Sequence, residues 1–258
     1  MSFQVVPKFA VSKLSIALFM TRNYDHAQDQ AIRILRSNHF FCTMLIPTMS
    51  AKSEIVSARI SHDIQLDSKH SAAEWELATP IRFSADWQGK NPDPTLETEV
   101  RVLWSPATLY LRFVCRYRDL FVFEDSDPNG RRDHLWDRDV AEAFLQPEPS
   151  SERRYKEFEV APNGMWIDLD ISPSGLADLM SGMTRSVHID EQQRHWVAEL
   201  SIPIRSLTAR FDSAKPWRAN FYRVEGRSEP RQYLAWQPTF TPQPNFHVPE
   251  GFGTLQFA

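Results

Sequence analysis

Between Leu109 and Tyr117 apolar and polar positions alternate without a break. Leu109, Leu111, Phe113, Cys115 and Tyr117 fall on one side of an extended chain, and Arg112 and Arg116 on the other. A period of two held over this length predicts a half-buried strand. The preceding segment, with Val100, Val102 and Trp104 alternating, predicts its hairpin neighbour, joined through the turn Ser105-Pro106. Further strands are expected at 140–145, 155–160, 165–171, 187–190, 196–202, 219–224, 233–236 and 254–257. Their separators combine a φ-fixing proline with a permissive glycine: Asp127-Pro-Asn-Gly130, Pro162-Asn-Gly164 and Ser172-Pro-Ser-Gly175. Pro162-Asn-Gly164, lying between two strands, predicts a tight hairpin. No amphipathic helix of ten or more residues follows Met49. The expected fold is therefore all-β: an antiparallel β-sandwich of the jelly-roll or immunoglobulin-like kind over residues 55–258.

The first 48 residues have a different texture. Lys8 and Lys13 precede a short apolar run, Leu14–Met20, without an A-x-A-like cleavage site after it. A second run, Phe40–Ile46, is equally short, and neither approaches the roughly 18 residues of a membrane span. Residues 1–48 are expected to be a disordered, weakly helical or non-native extension.

Composition narrows the function. Hydrophobic residues at 42% allow a sizeable core, and a net charge of −4 spread over interspersed acids and bases gives no basic stripe for nucleic acid. The two cysteines, Cys42 and Cys115, lack metal-ligand spacing, and Cys115 reads as a buried thiol. Eight glycines in the whole chain argue against a phosphate-cradling loop, and G-x-S-x-G and H-E-x-x-H are absent. Glu142, Glu157, Glu159, Asp168 and Asp170 could supply a glycosidase carboxylate pair. Glu157 and Glu159, however, read as a solvated or salt-bridged face.

Tryptophans divide into two groups. Trp75, Trp104, Trp196 and Trp217 sit at strand positions or entries and are expected in the core. Trp136 lies among Arg131-Arg-Asp-His-Leu-Trp-Asp-Arg-Asp139, which is nearly all charged. If a continuous strand runs through this segment, Trp136, Arg138, Val140 and Glu142 share one face. A flat ring beside a carboxylate suits a pyranose, whose axial C–H groups stack on the ring while its hydroxyls hydrogen-bond charged groups. The carboxy-terminal third adds Arg223, Arg231 and the proline-rich loop that carries Asn245, Phe246 and His247, arginine and amide groups suited to polyols on a stiff support.

From about Ile60 to its end the chain resembles a family 9 carbohydrate-binding module, within the broader DOMON-like sandwiches. The resemblance is carried by Thr98-Glu-Val-Arg-Val-Leu-Trp104, Leu109-Tyr-Leu-Arg-Phe113, Leu135-Trp-Asp-Arg-Asp-Val-Ala-Glu142, Trp196-Val-Ala-Glu-Leu-Ser-Ile-Pro203 and Pro249-Glu-Gly-Phe-Gly253. It implies a non-catalytic module that holds a sugar or a sugar-chain end between two tryptophans, with a glutamate, arginines, an amide and an asparagine around it. Trp136 and Glu142 match the first tryptophan and the glutamate, Arg223 stands near the amide, Arg231 matches an arginine and Asn245 the asparagine. Phe246 and His247 occupy the neighbourhood of the second tryptophan. The resemblance further implies an extracellular or periplasmic setting, service to carbohydrate breakdown or uptake beside a separate glycoside hydrolase, and structural calcium. For calcium, Asp125, Asp127 and Asn129 open like an EF-hand loop, although Trp136 stands where its closing glutamate would be. Two alternatives accompany this reading. One is a glycoside hydrolase accessory or catalytic domain. The other is a haem-binding electron-transfer sandwich using Met180 or Met183 with His188.

Overall fold

The computed structural model describes residues 53–124, 130–149 and 153–258. The expectations for residues 1–48, for Cys42 and for the calcium loop residues Asp125, Asp127 and Asn129 lie outside the described residues.

Thirteen strands form the fold among those residues, in one continuous order that curls into two layers. The strands are β1 (Glu54–Arg59), β2 (Ile81–Phe83), β3 (Thr98–Trp104), β4 (Thr108–Arg116), β5 (Val140–Gln146), β6 (Tyr155–Val160), β7 (Trp166–Ser172), β8 (Gly175–Asp178), β9 (Thr184–Asp190), β10 (His195–Pro203), β11 (Trp217–Glu225), β12 (Gln232–Ala235) and β13 (Gly253–Phe257). One layer runs β8-β7-β6-β5-β11-β13-β1, with β12 also on β11. The other runs β1-β3-β4-β10-β9, with β2 on β3. Helix is confined, among the described residues, to one turn at Ile204–Leu207 and short 3₁₀ segments.

The strand expectations hold, with ends shifted by no more than three residues, and the all-β sandwich is what the described residues form. Three strands were not expected. β2 and β8 are short, and β1 pairs in parallel with β13 at its start and with β3 at its end. That switch makes β1 the seam between the layers. Among the described strands, every other strand-to-strand pairing is antiparallel. The Pro162-Asn-Gly164 hairpin forms as predicted, with Gly164 at φ 84° and its amide donating to Ala161 O at 2.9 Å. The left-handed conformation there is the reason a glycine suits the turn.

The space between the layers is filled from the alternating positions that the sequence marks. Val100, Val102 and Trp104 from β3, the odd-numbered apolar series of β4, and Trp196, Ala198, Leu200 and Ile202 from β10 meet Ala141, Ala143 and Leu145 from β5 and Trp217, Ala219 and Phe221 from β11. Trp75, Trp104, Trp196 and Trp217 are all buried, and so is the free Cys115 thiol. A second cluster lies on the other face of the first layer. It joins Val140 and Phe144 of β5, Tyr155 of β6, Ile167 and Leu169 of β7 and Tyr222 and Val224 of β11 to Leu135, Phe246 and Phe252 from the connecting segments. This outer face carries the candidate site.

Candidate binding site

Because side chains alternate across a strand, β5 sends Val140, Glu142 and Phe144 outward and Ala141, Ala143 and Leu145 inward. On β6 the same rule sends Tyr155, Glu157 and Glu159 outward, while Phe158 and Val160 join the interior. Glu142 pairs in register with Glu159, and Phe144 with Glu157. Three carboxylates therefore converge on one face, each offering an oxygen within 4.8 Å of the others. They are 3%, 3% and 0% exposed for Glu142, Glu157 and Glu159. This corrects the reading of Glu157 and Glu159 as a solvated or salt-bridged face: neighbouring strands and the loops above take both out of water. Burial, then mutual repulsion, pushes the Glu142 and Glu159 carboxyls well above the usual carboxylate range, with Arg231 opposing this at Glu142.

The connecting segments roof this face. Leu135–Asp137 forms a 3₁₀ turn whose Leu135 is buried, preceded by His134 in a left-handed conformation. Trp136 is half-buried in that turn, its ring 4.9 Å from the His134 ring. The continuous strand through Trp136 and Glu142 is thus corrected: β5 begins only at Val140. Trp136 reaches the outer face from a turn rather than by strand alternation. Arg138, which ends the turn, lays its guanidinium 4.2 Å from the Phe121 ring. Arg231 fixes the turn from the far side. Its Nη1 donates to Trp136 O at 3.0 Å and its Nε to Gly226 O at 2.9 Å. Its Nη2 lies 3.6 Å from Asp139 Oδ1.

The proline-rich segment makes the other half of the roof. Buried Asn220 accepts from Gln237 N and donates to Gln237 O, both at 2.9 Å, and donates to the Tyr222 hydroxyl at 2.7 Å. Tyr222 donates in turn to Phe246 O at 3.0 Å. The Phe246 ring is stacked on Tyr222 at 4.1 Å between centroids and is buried, so it acts as packing and offers no free stacking surface. His247 does present one, with a side chain 52% exposed. Its Nδ1 is hydrogen-bonded to the Tyr155 hydroxyl at 2.6 Å and lies 3.9 Å from Glu157 Oε2. Asn245 is exposed, and its Oδ1 accepts from His247 N at 2.9 Å, which fixes the loop tip.

Arg223 is not part of this assembly. It follows Trp217, Ala219 and Phe221 onto the inward face of β11 and is 0% exposed. Its guanidinium lies 5.1 Å from the Trp196 ring, and Nη1 donates to Arg116 O at 3.4 Å. An odd offset from Tyr222 on the same strand separates it from Glu142 by the thickness of the sheet. The structure thus brings Trp136, Glu142, Arg231, Asn245 and His247 to one face, with Phe246 beneath them, and leaves Arg223 inside. The candidate haem ligands part company too. Met183 is buried in the interior and Met180 exposed. His188 alternates with Val187 and Ile189, which pack on the interior, and so faces away from it.

Sequence reasoning missed Tyr155 and Asn220, and assigned Glu157 and Glu159 to a solvated or salt-bridged face. A signal for the two glutamates was present in the even spacing of Tyr155, Glu157 and Glu159 beside the near-continuous apolar run of β5.

Against known proteins, a model for carbohydrate-binding family 9 matches residues 177–257, so the resemblance read from the sequence holds there. The chain is similar to an extracellular protein of the fungus Arthroderma benhamiae, 26% identical over 83% of this chain and 100% of that one. Its fold is similar to a Bacteroides uniformis protein provisionally named as carbohydrate-binding, at a TM-score of 0.63 and 17% identity over 81% of this chain and 100% of the other. It is also similar to a family 9 carbohydrate-binding module from Caldicellulosiruptor kristjanssonii, solved with cellotriose. That match has a TM-score of 0.56 and 13% identity over 80% of this chain and 93% of that module. The same organism's module with glucose gives a TM-score of 0.57 at 13% identity, over 80% of this chain and 96% of the module.

Proposed function

We propose that this chain is a non-catalytic carbohydrate-binding module that holds a sugar on the outer face of the β5–β6–β11 layer. The observation that supports it most is the family 9 match over residues 177–257, a stretch that includes β11, β12, Asn245 and His247. In this reading the Trp136 ring is one stacking surface and the His247 ring stands in place of the second. Glu142 forms the acidic floor and Asn245 a polar edge. Arg231 acts as a positioning residue: its guanidinium is committed to Trp136 O, Gly226 O and Asp139, and so sets where the Trp136 ring lies. Arg223 and Phe246 have no direct contact in this reading, since one is inside the sandwich and the other under the loop.

Stacking supplies affinity because the C–H face of a pyranose is apolar, and charge-assisted hydrogen bonds to hydroxyls supply orientation. Calorimetric titration with glucose and cellotriose, followed by a glycan array, tests the proposal. Saturable binding that is weakened by Trp136→Ala supports it, and the absence of binding to any glycan sinks it. The same glycans should be recovered intact after incubation, and release of reducing ends abolished by Glu142→Gln would make the chain a hydrolase instead.

A further inference from the structure

We propose that Glu142, Glu157 and Glu159 bind one hard divalent cation, of the calcium, magnesium or manganese class, under the roof formed by the Trp136 turn and His247. The site is built by strand register. Glu142 and Glu159 stand directly opposite each other on β5 and β6, and Glu157 follows two residues along the same face. Like charges directly opposite on a sheet are unfavourable even at a surface. Here both are buried, and no basic side chain is hydrogen-bonded to either among the contacts described.

The treatment of other buried acids in this fold shows what is different about these three. Asp168 accepts from Ser181 N at 2.7 Å and from Ser181 Oγ at 2.5 Å, with Arg131 Nε at 3.6 Å. Asp139 accepts from Phe121 N at 2.9 Å and Gly226 N at 2.8 Å and faces Arg231. Glu199 accepts from Asp67 N at 3.0 Å, with Arg112 Nε at 3.6 Å. Both oxygens of Glu159 and Oε2 of Glu157 are buried with no hydrogen-bond partner, and whereas Glu199 Oε1, also without one, has the Arg112 guanidinium beside it, Glu159 has no basic group within 4 Å among the described contacts. Leaving ionised carboxylates in that state costs several kcal/mol each.

Nearby cations do not remove the deficit. Arg231 is held by two carbonyls and Asp139. Lys156, the base within β6, pairs with Asp170 at 2.7 Å. His247 approaches only Glu157, at 3.9 Å. The spacing, however, fits an ion. A cation with oxygens at about 2.3–2.6 Å holds them no more than roughly 5 Å apart, and these three lie within 4.8 Å of one another. A donor set made only of carboxylate oxygens suits a hard cation, since it lacks the thiolate and imidazole ligands typical of zinc and copper sites.

The site shares Glu142 with the proposed sugar surface but does not depend on it, because cation binding can be read without sugar. The full chain, stripped with chelator, is titrated separately with calcium, magnesium and manganese chloride by calorimetry and by thermal melting. At a concentration roughly a hundredfold above Kd, the cation that fits should raise Tm by about 5–10 °C. Glu159→Gln keeps the side-chain shape and removes one ligand charge. It should weaken that cation by about tenfold or more, and its cation-free Tm should equal or exceed that of the cation-free parent. Glu157→Gln, expected to behave alike, serves if Glu159→Gln does not fold. Either of two results overturns the inference: no saturable binding by the parent, which would mean that the three carboxyls share protons, or parental affinity retained in a folded Gln variant, which would place the ion elsewhere. Cation binding with no response to any glycan would sink the sugar reading alone, and the reverse result would sink only the cation site.

Discussion

Glu142 and Glu159 face each other across β5 and β6 as register partners, both buried, with their carboxyls on the side of the sheet that Trp136 and His247 roof. The opposite layer handles acids differently. There Glu99 and Glu199 of β3 and β10 are interleaved with Arg101 and Arg112, in contacts of 2.9 Å for Arg101 with Glu99 and 3.6 Å for Arg112 with Glu199. One layer therefore carries an ion-paired ladder on its outer face, and the other three buried carboxyl groups beneath aromatic rings.

Trp136→Ala and Trp104→Ala should separate binding from folding. Trp136 is half-buried, and its structural link to Arg231 runs through its main-chain oxygen, which alanine keeps. Losing the ring should cost about 1–3 kcal/mol of sugar affinity, tenfold or more at most of that range, with Tm almost unchanged. Trp104 packs edge-on against Phe211 at 5.4 Å and Phe257 at 5.9 Å, and its Nε1 donates to Ala258 O at 3.1 Å. Its truncation should destabilise by roughly 3–5 kcal/mol. Calorimetry and thermal melting on both variants check this. If Trp136→Ala unfolds the domain as Trp104→Ala does, the ring is structural and the proposed site fails.

Most of the sandwich was legible because period-two patterning and proline–glycine turns act locally. The nine residues of β4 and the hairpin at Pro162-Asn-Gly164 needed no tertiary information. β1 was not legible, since its parallel partners are about 45 and 200 residues away in sequence and its six residues mix burial with exposure. The site was legible as a neighbourhood and illegible as a geometry. Trp136 and Glu142 lie on the predicted face, yet the route is a 3₁₀ turn that no periodicity announces. Arg223 was misplaced because Trp217–Glu225 is buried on both faces, so that polarity does not mark which side is outward. Glu157 and Glu159 were misjudged because charge was taken as a sign of solvent, which holds for most acids and fails where a site collects them.

Arg223→Met should leave sugar binding within about twofold of the parent. Arg223 sits inside the sandwich against Trp196, with its Nε and Nη2 unpartnered, so a straight apolar chain can fill most of its volume. Removing this charge gives up its bond to Arg116 O and its attraction for the Asp139 carboxylate, so the variant should be less stable than the parent, by up to about 3–5 kcal/mol. Titration and melting of the variant test both statements. A fall of tenfold or more in affinity, with the fold intact, would put Arg223 back among the contact residues.

Stability should fall at high pH in part through Tyr110. Its hydroxyl is buried beside the Asp63 carboxylate, to which it donates at 2.9 Å, and burial followed by that carboxylate raises the phenol to about 12 from its ordinary 10.0. A folded pKa above the unfolded one means stability that is complete below pH 10 and lost as the pH rises toward 12. Tyr110→Phe should be less stable than the parent at pH 8 by no more than about 2 kcal/mol, and the gap should narrow between pH 10 and 12. Denaturant melts at pH 8, 10 and 11.5 measure this. A gap that stays constant across the series would show that the hydroxyl does not carry the linkage.

Gly253 sits where the Trp236 ring and the Ser53 carbonyl leave no room for a side chain. It opens β13, the strand between β1 and β11, and pairs in register with Ala219. A Cβ placed there would stand 2.6 Å from Trp236 Cη2 and 2.7 Å from Ser53 O. The second contact is with backbone beside the start of β1, and Thr254 N donates to that same oxygen at 3.1 Å. Neither neighbour can yield cheaply: the Trp236 ring packs on Phe221 at 5.7 Å, and moving Ser53 O disturbs the parallel entry of β1. Gly253→Ala should therefore destabilise by about 1–3 kcal/mol or more, as overpacking of a tight interior does. Removing the opposing ring should return part of the loss, so Gly253→Ala with Trp236→Leu should melt above the sum of the two single effects. Thermal and denaturant melts of the parent, both single variants and the double variant make the comparison. Strict additivity, or a Gly253→Ala protein as stable as its parent, would show that the close approach of Trp236 is not what requires glycine at this position.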